Sequence, residues 1–158
     1  MVNIKNNEKK FIKNEFEQNQ FVQSIKINKN IFINFLKSCG ENDIEELLKK
    51  EDFSFIQKII TNYSFESDEE RDRIRVGFWA FFASYMMNLL GGKLIIAGKN
   101  DYNPNTPLLV DYGNSTDKKG NKKWIAISFD SWFNTILRDE FIGTLNETIE
   151  YIQRRYLI

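Results

Sequence analysis

Ser67–Gly92 reads SDEERDRIRVGFWAFFASYMMNLLGG, and the reading of this stretch decides the fold. Its opening, Ser67-Asp68-Glu69-Glu70, predicts a capping box, with the Ser67 hydroxyl and the Glu70 carboxylate satisfying two amide donors that a helix start leaves unpaired. The first two turns are charged. From Ile74 onward, apolar side chains fall on nearly every face: Val76, Phe78, Trp79, Phe81, Phe82, Tyr85, Met86, Met87, Leu89 and Leu90. A helix apolar all round is normally enclosed by the rest of its domain. Gly77, Ala80 and Ser84 recur at i, i+3 and i+7, which lets one partner approach closely. Gly91 can supply the left-handed conformation that ends the helix. The uncharged run Val76–Leu90 is fifteen residues long, short of the roughly 20 that a bilayer requires. The stretch therefore predicts a long buried central helix and no membrane span.

Working upstream, residues 1–65 carry apolar positions at helical spacing and predict a helical N-terminal part. A helix around Glu8–Gln18 follows from Phe11, Ile12 and Phe16, and Phe21, Val22 and Ile25 continue it or start a second element. Asn30–Cys39 carries the stripe Ile31, Phe32, Phe35 and Leu36, with Gly40 behind it. Asn42 can cap Asp43–Lys50, and Phe53–Tyr63 is a further short helix. Working downstream, the period changes. Lys93–Ala97, Pro107–Tyr112 and Trp124–Ser128 predict three short strands, with Pro107 tolerable only at a strand start. Their short connections imply an antiparallel meander. Asp130 or Ser131 can cap a helix through Trp132, Phe133, Ile136 and Leu137. Thr144-Leu145-Asn146-Glu147 is a second capping box, opening a helix to about Arg155. The expected architecture is one α+β domain spanning 1–158, with N-terminal helices in 1–65 and the central helix, sheet and closing helices in 66–158.

Composition narrows the chemistry. There is no histidine among 158 residues, and one cysteine. Ser-His-Asp, Cys-His and HExxH sites are thereby excluded, as are disulfide frameworks and multi-cysteine zinc sites. Lys+Arg and Asp+Glu balance at 22 each, unlike the basic surface of a general nucleic-acid binder. Met1–Lys10 lacks the apolar core of a secretory signal, so a cytoplasmic protein is expected. Gly91-Gly92 follows a helix and precedes a strand, the reverse of a phosphate-binding turn. Cys39 reads as a structural thiol at a helix end. Lys118-Lys119-Gly120-Asn121-Lys122-Lys123 reads as a solvated hairpin tip.

Two features could carry function. Asp101, Asp111, Asp117 and Asp130 lie near strand ends or loops, where a pair could flank a glycosidic bond or hold a hard cation. No Asp-x-Asp or calcium-loop spacing accompanies them, and loop turns and helix caps account for Asp101 and Asp130. Tyr102, Tyr112, Trp124 and Trp132 also sit near polar loops, and aromatic residues are enriched at interfaces. With the neighbouring acids they predict a partner-binding surface of Asp101, Tyr102, Asp111, Tyr112, Trp124 and Trp132. No catalytic residue, metal ligand or cofactor is expected.

The block Gly77–Tyr151 resembles small bacterial domains in which an apolar helix ends in a Leu-Gly-Gly turn. A strand, a Pro-containing loop, a second strand and a closing helix follow there. The matching residues are Leu89-Leu90-Gly91-Gly92-Lys93-Leu94, Asp101 with Pro107-Leu108-Leu109-Val110, and Phe129-Asp130-Ser131-Trp132-Phe133. Several such domains are similar to immunity proteins, which block a cognate toxin by binding it. The resemblance covers about half the chain and implies a non-catalytic inhibitor that occludes a partner enzyme, its acidic side chains speeding encounter with a basic partner. The alternatives are a histidine-free hydrolase using paired carboxylates, and a small-ligand or assembly module sited between the aromatic helix and the sheet.

Overall fold

The computed structural model describes residues 12, 14–101, 103–116 and 118–157. Helices α1 (Glu15–Gln23), α2 (Ile25–Ser38), α3 (Ile44–Lys49) and α4 (Ser54–Asn62) precede the long α5 (Asp68–Leu90). Strands β1 (Lys93–Ile96), β2 (Pro107–Val110) and β3 (Ala126–Ser128) form an antiparallel sheet in the order β1-β2-β3. Helices α6 (Phe129–Leu137) and α7 (Leu145–Tyr156) close the chain. The expected α+β architecture is observed.

Helix α5 is the axis of the molecule. Phe78, Trp79, Ala80, Phe81, Phe82 and Ala83 are consecutive and each at most 1% exposed. Six consecutive residues cover more than a full turn at 3.6 residues per turn, so every side of the helix is enclosed there. Helix α2 lies along one side, with α6 and β2 against others. Gly77 is what lets α2 approach: a Cβ placed there would stand 3.0 Å from Phe32 Cβ and 3.1 Å from the Asn28 carbonyl oxygen. The core between them is aromatic. Phe32 meets Phe78 edge-on at 5.8 Å, Phe78 meets Phe133 at 5.4 Å, and Phe82 meets Trp132 at 5.6 Å. Perpendicular ring pairs place the positive edge of one ring on the negative face of the other. No helix among the described residues is long and apolar enough to cross a membrane.

The ends of α5 follow from local chemistry. Ser67 Oγ accepts the Glu70 N–H at 3.1 Å, as the capping box predicts. The Glu70 carboxylate, however, accepts from the Glu66 N–H at 2.9 Å, one residue before the expected donor. At the other end, the Gly91 N–H donates to the Met87 carbonyl with φ 71 and ψ −146. That combination lies outside the left-handed helical well, in a region essentially confined to glycine.

Several boundaries differ from the sequence reading. Of the expected helix Glu8–Gln18, residues 8–11 and 13 lie outside the described residues. Ile12 is non-helical, its N–H donating to Asn105 O at 3.0 Å. The helix starts only at Glu15, where Asn14 Oδ1 caps the Glu17 N–H. Ser24 separates α1 from α2, its hydroxyl donating to Phe21 O and accepting from Asn28 Nδ2. Asp43 rather than Asn42 stands at the start of α3, without a side-chain cap. Strand β3 begins at Ala126, two residues later than expected, and β2 ends at Val110 because Asp111 takes φ 56 and turns the chain out.

The largest departure concerns Asp130. It caps nothing: Ser128 Oγ accepts the Ser131 N–H and caps α6, while Asp130 lies inside the first turn and is 1% exposed. Its carboxylate receives Arg75 Nε on Oδ1 and Arg75 Nη2 at 2.6 Å on Oδ2. Trp79 Nε1 donates to it at 3.1 Å and Asn134 Nδ2 at 3.2 Å. A buried carboxylate is tolerated only when its oxygens are satisfied, and here α5 and α6 satisfy it together. Removing one partner of such a pair leaves a buried charge uncompensated. Asp130→Ala should therefore cost about 3–5 kcal/mol, measured by urea unfolding; a stability within about 0.5 kcal/mol of the parent contradicts this assignment.

Candidate functional site

The six residues expected to form a binding surface are distributed unevenly. Asp101 is exposed in the β1–β2 connection, where its Oδ2 accepts the Gly98 N–H at 2.5 Å and its own N–H donates to Gly98 O at 3.0 Å. It closes a turn. Tyr102 lies outside the described residues. Asp111 leaves β2 between two lysines, with Lys122 Nζ at 2.8 Å and Lys93 Nζ at 3.6 Å. The Lys122 hydrogen bond, with further help from Lys93, holds its carboxyl below the usual carboxylate range. Asp101 precedes β2 and Asp111 follows it, so the two acids stand toward opposite ends of one strand.

The aromatic residues behave differently. Tyr112 and Trp132 come together at an open groove of about 370 Å³. Strand β3 contributes Ala126, Ile127 and Ser128 to it, and the first turn of α6 contributes Ser131 and Trp132. Because Ser128 both ends the strand and caps the helix, no loop intervenes and the position of Trp132 follows directly from the sheet. Trp132 is anchored by edge contacts to Phe82 and Phe129 at 5.6 and 5.5 Å. Trp124 does not line the groove; it stands 71% exposed just before β3.

Helix α7 supplies the far wall through Tyr151, Ile152 and Tyr156. At its start Thr144 Oγ1 accepts the Glu147 N–H at 3.1 Å, as the capping box predicts, while the Glu147 carboxylate accepts from the Thr144 hydroxyl where the box expects a backbone N–H. Its apolar stripe, Leu145, Ile149 and Ile152, is buried. The Asn114 N–H donates to Tyr156 O at 2.6 Å, which fastens the last turn of α7 to the chain leaving β2. Tyr112 then meets Tyr156 edge-on at 5.4 Å. Sequence reading missed Tyr151 and Tyr156. The available signal was a tyrosine pair flanking the Leu145–Ile152 stripe, one of them now 56% exposed.

The groove offers aromatic faces, hydroxyl groups and strand backbone. Among the described residues, its lining carries no charged side chain. A larger cleft of about 490 Å³ lies between α2 and the first turns of α5, with Tyr63, Glu70 and Arg73 among its lining residues. The Glu70 carboxylate there is engaged by the Glu66 N–H and by the Tyr63 hydroxyl at 3.4 Å. Cys39 is half-buried at the end of α2. Lys118 to Lys123 are exposed. Among the described residues, no three side chains of the metal-ligating kinds gather.

Burial is the main reason that the Tyr112 phenol is pushed up to about 12, with Tyr156 adding to it. The neutral phenol is thus favoured by folding. Its contribution to stability is complete below the ordinary tyrosine pKa of about 10 and is lost as pH rises from there through about 12. Absorbance titration of the folded chain should show a phenol ionising near 12 that is missing from Tyr112→Phe; ionisation of every tyrosine together near 10 contradicts the burial of this ring. Comparison with protein-family models, with curated proteins and with solved structures finds no match for this chain.

Proposed function

We propose that this chain is a non-catalytic protein-binding inhibitor, acting as immunity proteins do by covering a partner enzyme, and that it binds through the β3–α6–α7 groove. The observation carrying this reading is the groove itself. Tyr112, Trp132, Tyr151 and Tyr156 converge there on a rigid support of strand and helix. Trp124, two residues before β3 in the chain, is 71% exposed. Tyrosine and tryptophan supply large contact area at small entropic cost and dominate the energetics of many interfaces. Of the four acids weighed for a hydrolase, Asp117 lies outside the described residues and the other three are differently employed. Asp101 closes a turn, Asp111 is held by two lysines, and Asp130 is buried against Arg75 and Trp79. Their dispersal favours a binding protein over the paired-carboxylate alternative, whose two carboxyl groups must share one cleft.

The sequence reading assigned the encounter to acidic side chains meeting a basic partner. The engagement of Asp101 and Asp111 within the chain removes the main support for that polarity. The aromatic residues remain as the proposed contact surface.

The test is calorimetry of the full chain against the product of the adjacent gene in its native genome. A stoichiometric complex of submicromolar affinity is expected, and the doubly substituted Trp124→Ala/Tyr151→Ala chain should bind at least about 30-fold more weakly, as loss of a hot spot of about 2 kcal/mol implies. Both side chains are more than half exposed, so thermal unfolding of the variant should match the parent. Absence of association at micromolar concentration, or an affinity indifferent to both substitutions, contradicts the proposal.

A further inference from the structure

We infer that the groove takes its partner as an extended acidic segment that adds to β3 as a fourth strand. This inference rests on the protein-binding reading above and specifies how such a partner is held.

The sheet has two edges, β1 and β3. Helix α1 packs against β1. All three residues of β3, the other edge strand, line the groove. Its ladder to β2 pairs Leu108 with Ser128, Leu109 with Ile127 and Val110 with Ala126. In an antiparallel strand, alternate residues direct both N–H and C=O away from the partner. Ser128 is committed to α6 as its N-cap, and among the described residues outside the named helices and strands no backbone hydrogen bond reaches β3. Unpaired strand edges are templates for another chain, and natural proteins usually blunt or cover them. Here the edge is left open at the bottom of an aromatic-walled groove. That combination provides backbone pairing for affinity and side-chain contacts for specificity, the two components of strand addition.

Charge selects the kind of segment. Lys123 N–H donates to Ser115 O at 2.6 Å, and Asn114 N–H to Tyr156 O at 2.6 Å. The start of the β3 lead-in and the last turn of α7 are thereby brought to the same end of the groove. Lys123 and Arg155 are exposed there, and neither takes part in an ion pair among the described residues. Of the acids described near that end, Asp111 is paired with Lys93 and Lys122, and Glu150 stands 3.9 Å from Arg154. Arg155 lies one helical turn beyond Tyr151, a groove-lining residue, and i, i+4 positions share a face. An incoming strand thus meets uncharged walls along its length and unpaired cations at one end. Carboxylates near one end of the segment complement them, whereas a basic segment would be repelled.

The probe is a phage-displayed library of random twelve-residue peptides, panned on the full-length chain. Enriched peptides should carry Asp or Glu beside alternating apolar residues and perturb the backbone amide resonances of Ile125–Ser128. Methylating alternate peptide nitrogens, which removes ladder donors and keeps the side chains, should abolish binding. Lys123→Glu combined with Arg155→Glu should weaken it at least tenfold; both residues are exposed, and a matching urea midpoint verifies the fold. Enrichment of basic or proline-rich peptides, no enrichment, amide shifts confined to other elements, tolerance of backbone methylation, or indifference to the charge reversal each overturns the inference. If the adjacent gene product binds in a Tyr151-dependent manner while the peptides fail, strand addition falls and the protein-binding reading stands. If acidic peptides bind as described and the adjacent gene product does not, the groove assignment stands and the inhibitor reading falls.

Discussion

A helix without a polar stripe has to be covered on every side, and that constraint organises this molecule. Residues Phe78–Ala83 of α5 expose almost nothing, so the chain before and after the helix must supply its surroundings. Helix α2 approaches through the opening left at Gly77, and α6 and β2 occupy further sides. At about 25 cal/mol per Å² of apolar surface removed from water, such an aromatic core is the main source of stability. Its non-directional nature also means that it specifies little on its own. Specificity comes from the polar contacts placed within it. The Asp130 carboxylate is the deepest of these, receiving donors from Arg75, Trp79 and Asn134. It fixes the rotation and depth of α6 against α5, because a sliding α6 would strand a buried charge.

From that fixed point the groove follows. Helix α6 continues β3 without a loop, so orienting α6 also orients the open sheet edge. Helix α7 is tied down at both ends, by the Thr144 cap at its start and by Asn114 N–H on Tyr156 O at its finish. Between them, the Gln57 side chain accepts the Leu145 N–H, and Asn146 accepts the Phe53 N–H while donating to Asp52. The helix that forms the groove's far wall is therefore bonded to the N-terminal half as well as to the sheet. The groove is supported by elements from both halves of the chain.

Features with local causes were legible in the sequence. The extent of α5, its Ser67 cap, its glycine stop, the three strands and the Thr144 cap are all set by residues within a few positions of one another. Features with distant causes were not. Asp130 looks like a helix cap because Asp favours caps, yet its partner Arg75 is 55 positions away, and no periodicity connects the two. The groove was half legible. Tyr112 and Trp132 flank the strands and were recognisable as candidates, whereas Tyr151 and Tyr156 join them only because α7 folds back over β3. Asp101 and Asp111 resembled binding acids until the turn at Gly98 and the lysines at 93 and 122 placed them. Trp124 was expected inside a strand and stands in solvent, because the ladder to β2 ends where Asp111 turns away.

Native-state hydrogen exchange followed by two-dimensional NMR tests most directly whether α5 is the enclosed centre of the fold and β3 its open edge. Amides of Phe78–Ala83 should exchange only through global unfolding, with opening free energies equal to the stability measured in urea. Amides of β3 directed away from β2 should exchange through small local fluctuations. Local opening of the Phe78–Ala83 amides well below the global free energy would contradict the claim that α5 is the enclosed centre on which the rest is built.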